Sequence, residues 1–389
     1  MSLSPNNKYI RGSGEISTSI TLQEGKNNDA YSCKTSSSFI TNLPDDCLNL
    51  IFKCLQTSDD RKSFGLTCRD WLHIQNNNHE SLWYCNNYHR ENKYGYYPKI
   101  SPENLAKVTV RLLFRFQHLK YLSLRGLPRI TDFVHPNSPP FGSKVEGLFL
   151  DRCSVYSDMQ LALIFSWFPR LTYITLDSTN ITDKGLEALA KCCASLKTVY
   201  LPRCLWITDL GISFLLQNCR QLHTLSIRSC INITGIGFLG CAHTLADLVA
   251  GGCRLTPEGI SAIVSGGGLE YLNLRTPEEL AEVEERFVNI NTEAIVTISN
   301  GCPLLRELFL SDCEEVELEG WKAIGQNCKE LSELFVMGCQ KLCDLGLQAM
   351  CDGCNKLSDL YVDREKNNCS NFALELFKRK RPGVMCLYS

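Results

Sequence analysis

The sequence predicts an α/β protein in which a small helical unit precedes a curved solenoid of strand–helix units. One apolar residue recurs about every 26 positions, with spacings of 26, 26, 25, 26, 23, 24, 36, 26 and 26 residues. A repeat of this length is typical of stacked strand–helix units. Before the first repeat, the chain has the apolar pattern of short amphipathic helices. The register residues are Leu119, Val145, Leu171, Leu196, Leu222, Leu245, Leu269, Leu305, Leu331 and Leu357.

Each register residue opens the phrase L-x-x-L-x-L-x-x-C, as in residues 196–204 and 331–339. Side chains alternate across a strand, so offsets 0, +3 and +5 point into the stack, and offsets +2, +4 and +6 point to the concave face. Polar turns such as Ile207-Thr208-Asp209 follow the strand and supply a cap for the next helix. The phrase is that of leucine-rich repeats, so strands are expected on the concave face and helices on the convex face.

The chain has 22 cysteines in 389 residues, but the repeat register assigns eleven of them to two structural columns. Six lie at offset +8, and five lie three positions before the next register residue. A free cysteine in such a column behaves as a small buried hydrophobic residue. The spacing Cys351-Asp352-Gly353-Cys354 has no second pair to complete a zinc site, and no metal or cofactor is expected. Reduced thiols at this density indicate the cytoplasm and/or the nucleus.

Charge and hydropathy exclude several classes of function. The 40 Lys and Arg residues are matched by 42 Asp and Glu residues, so there is no general positive field for nucleic-acid binding. No apolar run approaches the roughly 18 residues of a membrane-spanning helix, and residues 1–24 lack the pattern of a secretion signal. The motifs of phosphate-binding loops, zinc proteases and serine hydrolases are absent from the sequence. We therefore expect a protein without catalytic activity, nucleic-acid partner or membrane span.

Composition divides the chain into four parts. Residues 1–38 are rich in Ser, Asn, Thr and Gly and are expected to be disordered. Residues 39–84 form the helical unit, with apolar residues at 47, 48, 51, 52 and 55 of its first helix and two short helices at 59–66 and 67–74. Residues 85–118 form a joint, in which Ser101-Pro102 begins a helix. Residues 119–389 form the solenoid of about ten repeats.

The helical unit resembles an F-box. Leu43-Pro44 opens it, an apolar helix follows, and Cys68-Arg69-Asp70-Trp71 closes it, with Thr67 where the family more often has valine. With its cysteine-containing repeats, the chain from about residue 39 resembles a plant-type F-box leucine-rich-repeat protein. The resemblance implies that the F-box docks on a Skp-type adaptor, which joins it to a cullin-RING ubiquitin ligase, and that the repeats bind a protein cargo. The implied adaptor contacts are Leu43, Pro44, Leu48, Ile51, Phe52, Leu55, Leu66, Cys68 and Trp71.

A physical argument also predicts a partner for the helical unit. About 40 residues cannot bury a self-sufficient core, so some apolar side chains are expected to face outward and meet another helical surface. The alternative is that several of them, above all Phe52 and Trp71, only hold the three helices together. Two other roles for the whole chain stay open. One is a receptor in which a hormone-type small molecule joins cargo to the repeats, and the other is a scaffold that acts without the ligase.

Cargo is expected on the concave face because its aromatic and arginine side chains are of the kinds enriched at binding hot spots. The candidates are Phe149, Tyr200, Arg228, Arg275, Phe309, Phe335 and Tyr361. Acidic residues beside the last three would suit a basic or amphipathic cargo segment. The alternative is that the aromatic residues only pack on one another along the sheet.

Two segments depart from the repeat. The 36-residue interval after Leu269 contains residues 276–287, where Thr276 and Glu279 form a capping box that predicts an acidic helical insertion. The insertion is either part of a binding edge or a tolerated loop. Near the end of the chain, the basic residues 378–381 precede Cys386, a candidate prenylation site. The basic run is alternatively a weak nuclear signal or a solvated helix end.

Overall fold

The structure is a computed structural model that describes residues 43–83, 102–125, 129–134, 144–241, 243–275, 290–363 and 366–388. The segment predicted to be disordered, 1–38, lies outside the described residues. The acidic insertion predicted at 276–287 also lies outside them.

Three short helices form the N-terminal unit: α1 (Asp45–Cys54), α2 (Ser58–Gly65) and α3 (Arg69–Asn77). Helix α2 begins where the Thr57 hydroxyl accepts a hydrogen bond from the Asp60 N–H, at 3.0 Å. Phe64 joins the three helices, because its ring centroid lies 5.2 Å from that of Phe52 and 4.3 Å from that of Trp71. The three predicted helices are therefore confirmed, with bounds that differ by a few residues.

Within the described residues, twelve strands form one parallel sheet in the order of the sequence. The strands β2 to β11 begin two residues after the ten register residues, as the repeat phrase predicts, and equivalent residues of neighbouring repeats pair. In chain order, β1 to β12 are Ser81–Trp83, Tyr121–Ser123, Gly147–Phe149, Tyr173–Thr175, Thr198–Tyr200, Thr224–Ser226, Asp247–Val249, Tyr271–Asn273, Glu307–Ser311, Glu333–Met337, Asp359–Val362 and Met385–Tyr388.

The sheet extends one strand beyond the predicted array at each end. Strand β1 falls within residues 39–84, which the sequence assigns to the helical unit, but it pairs with β2. The Glu80 carbonyl accepts the N–H groups of Lys120 and Tyr121, at 2.7 and 3.0 Å. The predicted joint, 85–118, contains the helix α4 (Pro102–Arg115), which connects β1 to β2. The helical unit therefore passes directly into the repeat array, and the described residues contain one strand before and one strand after the ten that follow the register residues.

A helix follows most strands of the array, and in several repeats a Thr, Asn or Ser side chain caps its N-terminus. The hydroxyl groups of Thr182 and Thr208 accept N–H groups of the first helical turn, as predicted for these turns. Two repeats have only a short 3₁₀ helix, Ile130–Phe133 and Ile236–Phe238. The helices α5 to α12 are Asp158–Trp167, Asp183–Cys192, Asp209–Asn218, Pro257–Val264, Thr292–Gly301, Leu318–Asn327, Asp344–Gly353 and Asn371–Lys380.

Four of the six cysteines at offset +8 donate a hydrogen bond to the repeat before them, namely Cys153, Cys204, Cys230 and Cys253. The thiols of Cys204 and Cys230 donate to the carbonyl oxygens of Leu176 and Leu201, both at 3.0 Å. Such a buried thiol fills a small space and also adds a hydrogen bond to a carbonyl group of the neighbouring repeat. The prediction that two columns are buried is confirmed, because the side chains of all eleven members are buried. These are Cys153, Cys204, Cys230, Cys253, Cys313, Cys339, Cys193, Cys219, Cys302, Cys328 and Cys354.

We expect the buried cysteines of the two columns to resist alkylation in the folded protein. Burial raises the pKa of Cys204 to about 11 and that of Cys253 to about 12, and only the thiolate reacts with iodoacetamide. Treatment at about pH 8 should label the exposed Cys47 and Cys54 and spare Cys204 and Cys253 until denaturant is added. Peptide mass spectrometry measures both outcomes. Labelling of native Cys253 as fast as Cys47 would contradict the packing role.

Candidate functional site

Helix α1 of the N-terminal unit has two apolar faces. One face packs inward, with Leu48 2% exposed and Phe52 5% exposed. The other carries Cys47, Leu50, Ile51 and Cys54, whose i, i+3, i+4, i+7 spacing places them together, and all four are exposed. We call these four residues the α1 outer face. A helix of a soluble protein that carries apolar residues on a solvent face is a candidate docking element.

The structure divides the nine predicted adaptor contacts into three groups. Pro44, Ile51 and Leu66 are exposed, and Leu66 is 85% exposed. The side chains that are partly buried are Leu43, Leu55, Cys68 and Trp71.

Leu48 and Phe52 form the third group, and their prediction as direct contacts is corrected, because both are buried in the core shared by the three helices. The packing therefore supports the alternative for Phe52, namely that it holds the three helices together. Leu50 is 65% exposed and is not among the predicted adaptor contacts. Its helical spacing from Cys47 and Cys54 could have indicated a second apolar face of α1.

The N-terminal unit is connected to the first repeat by side-chain contacts. The Arg115 guanidinium of α4 donates to the Asn76 side-chain oxygen of α3 at 2.9 Å. The rings of His79 and Phe116 lie 4.4 Å apart. Burial, followed by the charges of Arg115 and Arg61, lowers the pKa of His79, so this ring is neutral at physiological pH. These contacts hold the α3–β1 connection against the start of the solenoid.

The concave face carries two rows of aromatic side chains. In the N-terminal row, successive ring centroids lie 4.6, 5.1 and 5.7 Å apart, and in the C-terminal row they lie 5.2, 6.0 and 5.5 Å apart. The N-terminal row is Trp83, Phe149, Tyr173 and Tyr200, and the C-terminal row is Tyr271, Phe309, Phe335 and Tyr361. The predicted cargo candidates among the aromatic residues therefore do pack on one another.

Mutual packing leaves most of these rings partly accessible. Phe149, Tyr200, Phe335 and Tyr361 are half-buried, so each keeps some surface toward the concave side. Phe309 is only 8% exposed, and its position suits support of the neighbouring rings better than direct contact with cargo. The cargo prediction for this residue is corrected to a supporting role.

The predicted arginines of the concave face are also partly buried. The Arg275 guanidinium carbon lies 3.9 Å from the centroid of the Phe335 ring, a cation–π geometry. Arg228 is half-buried at offset +6 of its repeat, in the turn after β6, and its carbonyl oxygen accepts the Arg203 N–H at 2.8 Å. Arg275 thus belongs to the C-terminal aromatic row.

The carboxyl end of the chain is part of the sheet. Cys386 lies in β12, pairs in register with Leu360 and packs partly buried against the core. The predicted prenylation of Cys386 would require this residue to leave its pairing in β12. Arg381, the last residue of the basic run, donates from its guanidinium to the carbonyl oxygens of Cys351 and Cys354, at 3.0 and 3.1 Å. At least this member of the run is structural.

Two properties of the described residues bear on cofactors and membranes. Within them, no group of three or more His, Cys, Asp and Glu side chains is arranged to hold a metal ion. None of the described helices has both the length and the apolar character that crossing a bilayer would need.

The chain matches two domain families and is similar to a curated plant protein. Residues 40–80 match the F-box domain, and residues 138–238 match the At1g61320/AtMIF1 LRR domain. F-box/LRR-repeat protein 12 of Arabidopsis thaliana is 43% identical over 295 residues, which cover 69% of this chain and 72% of that protein.

Solved structures with a similar arrangement of elements have low sequence identity. A chain of the Rad7–Elc1 complex of yeast has a TM-score of 0.46 and is 17% identical, with 88% of this chain and 92% of that chain covered. An internalin of Listeria monocytogenes has a TM-score of 0.43 and is 16% identical, with 72% of this chain and 69% of that chain covered.

Proposed function

The chain belongs to the F-box/LRR-repeat proteins, and we propose that it is the substrate-recognition subunit of a Skp–cullin–F-box ubiquitin ligase. In this role the F-box docks on a Skp-type adaptor, and the concave face of the repeats holds a protein cargo for ubiquitination. The subunit itself has no catalytic step, and it acts in the cytoplasm, the nucleus or both.

The observation that carries the proposal is the α1 outer face. The folded F-box buries Leu48 and Phe52 in its own core. Leu50 and Ile51 of the α1 outer face stay exposed, and so does Leu66 at the end of α2. Burying a side chain of this size contributes roughly 1.5 to 3 kcal/mol, so a helical partner that covers them gains a substantial binding energy. The contacts between α3 and α4 would then keep cargo on the repeats at a set distance from the adaptor.

The test of the proposal is capture of a Skp-type adaptor by the purified full chain. The double substitution Leu43→Ala with Pro44→Ala removes apolar surface at the start of α1, and we expect about a tenfold loss of capture, which corresponds to about 1.4 kcal/mol. Met159→Ala is the matched control, because Met159 is an exposed apolar residue of α5, outside the F-box. Failure of the wild-type chain to capture the adaptor would refute the ligase role and favour a scaffold that acts without it.

A further inference from the structure

The C-terminal half of the concave face has a row of carboxylates beside its aromatic row. Glu307, Glu333 and Asp359 pair in register on β9, β10 and β11, so they follow one another at the strand spacing of about 4.8 Å. Asp247 occupies the equivalent position on β7. Glu307, Glu333 and Asp359 are half-buried. One edge of the aromatic row is therefore negatively charged over three consecutive strands.

The aromatic row beside these carboxylates already holds one cation. The Arg275 guanidinium lies 3.9 Å from the Phe335 ring centroid, so a ring of this row accepts a guanidinium on its face. Aromatic faces attract cations through the ring quadrupole, by about 0.5 to 2 kcal/mol depending on burial. The chain thus contains an internal example of the contact that a basic ligand would make.

Tyr361 is the last ring of the row and offers the next place for a cation. Its centroid lies 5.5 Å from that of Phe335, and the side chain is half-buried. Partial burial, and then the charges of Glu333 and Asp359, raise the pKa of Tyr361. The two carboxylates are therefore close enough to act on the phenol, and a cation over this ring would lie in their field.

The N-terminal aromatic row lacks this charge pattern. Where β9 to β11 carry carboxylates, β3, β4 and β5 carry Gly147, Tyr173 and Thr198. The two rows share aromatic packing and differ in the charge at this strand position, so the difference points to a ligand that discriminates by charge.

We infer that the surface formed by Glu307, Glu333, Asp359, Phe335 and Tyr361 binds a basic segment of the cargo. In this arrangement an arginine or lysine side chain of the segment lies over Tyr361, between the carboxylates of Glu333 and Asp359. We call these five residues the C-terminal patch. The inference rests on the proposed function for the identity of the occupant as cargo, and it adds the chemical class of that cargo.

The experiment uses the full chain and a random peptide library displayed on phage, with peptides of about 12 residues, long enough to cross several strands spaced about 4.8 Å apart. We expect the selected peptides to be enriched in Arg and Lys. The strongest one is then synthesised, and its binding is measured by fluorescence anisotropy. Selection of peptides without this enrichment, or of none, would overturn the inference.

Matched variants then locate the binding. The triple variant Glu307→Gln, Glu333→Gln, Asp359→Asn should weaken binding of the selected peptide by about tenfold, as expected for lost charge complementarity, and Tyr361→Ala should also weaken it. The control Glu293→Gln, Glu315→Gln, Glu319→Gln makes the same change in net charge at exposed positions of the same half, and Tyr200→Ala tests the N-terminal row.

The outcomes separate the inference from the proposed function. Equal weakening by the patch and control triple variants would show that binding follows overall charge, which overturns the C-terminal patch as the binding surface. Adaptor capture is measured on the same variants and should be unchanged, because the F-box is untouched. If the full chain selects peptides without enrichment in Arg and Lys but still captures the adaptor, the proposed class of cargo is overturned and the ligase role stands.

Discussion

Asp209→Ala is expected to lower the free energy of unfolding by at least about 3 kcal/mol, because several buried donors lose a charged acceptor together. Asp209 is the first residue of α7, and its carboxylate accepts four hydrogen bonds from the following repeat. The donors are the N–H and hydroxyl of Thr234, at 2.9 and 2.7 Å, and the N–H groups of Gly235 and Gly237, at 2.9 and 3.0 Å. A single carboxylate therefore receives four hydrogen bonds from the following repeat.

The effect should be large here because this repeat has only the short 3₁₀ helix Ile236–Phe238. In a repeat with a longer helix most backbone N–H groups bond within the helix, whereas here the Asp209 side chain accepts the N–H groups of Gly235 and Gly237. Gly237 packs so close that an added Cβ would lie 2.3 Å from the Asp209 carbonyl oxygen. The contact between the repeats is therefore both polar and tight, and its loss cannot be relieved by local repacking.

Equivalent aspartates give a graded series. Asp183 accepts three hydrogen bonds from the next repeat, and Asp344 accepts two, so the loss on substitution by alanine should decrease in the order Asp209, Asp183, Asp344. Urea unfolding measures the series, and hydrogen exchange at residues 233–238 reports local opening. The control is Asp59→Ala, an exposed residue paired only with Lys62, with an expected change of about 0.5 kcal/mol or less. A loss at Asp209 as small as at Asp59 would contradict the role of the network.

This network also marks the limit of what the sequence could predict about the repeats. The turn Ile207-Thr208-Asp209 indicates a helix start, and the cap by Thr208 is a local contact that the pattern contains. The partner of the Asp209 carboxylate lies about one repeat away, at Thr234, and local patterns carry no information about such a contact. The periodicity predicts that repeats stack, while the polar contacts between them depend on the exact spacing of the stack.

The two end strands were missed for a related reason. Strand β1 contains Leu82 as its one buried residue, and β12 lacks the leucine phrase altogether. An inner repeat needs apolar residues at offsets 0, +3 and +5 because it has neighbours on both sides. A terminal strand has one neighbour in the sheet, so its sequence is less constrained and its pattern is too weak to recognise.

For the F-box too, the sequence predicted the location of the site but not its packing. The F-box was located by its sequence, and the family match confirms it, but the inner and outer faces of α1 were confused. Both faces have apolar residues at helical spacing, so periodicity alone cannot tell them apart. Packing of Phe52 against Phe64 settles which face is inside.

The α1 outer face gives the prediction with the largest expected effect on binding. Leu50→Asp together with Ile51→Asp should reduce adaptor capture by about 100-fold or more, because burying two unpaired carboxylates in an apolar interface costs several kcal/mol. Both side chains are exposed in the free chain, so the free energy of unfolding should change by only about 0.5 kcal/mol for each substitution. Adaptor affinity is measured by isothermal titration, and stability by urea unfolding.

Phe52→Ala separates docking from folding. It removes a side chain that is 5% exposed and in contact with Phe64, so it should destabilise the F-box by about 3 to 5 kcal/mol and lose adaptor capture through unfolding. Leu345→Asp places one carboxylate on an exposed apolar position of α11 and should leave both readouts unchanged. If the double aspartate variant stays folded and still captures the adaptor at the wild-type affinity, the α1 outer face is not the docking surface, and a surface that includes Leu66 must take its place.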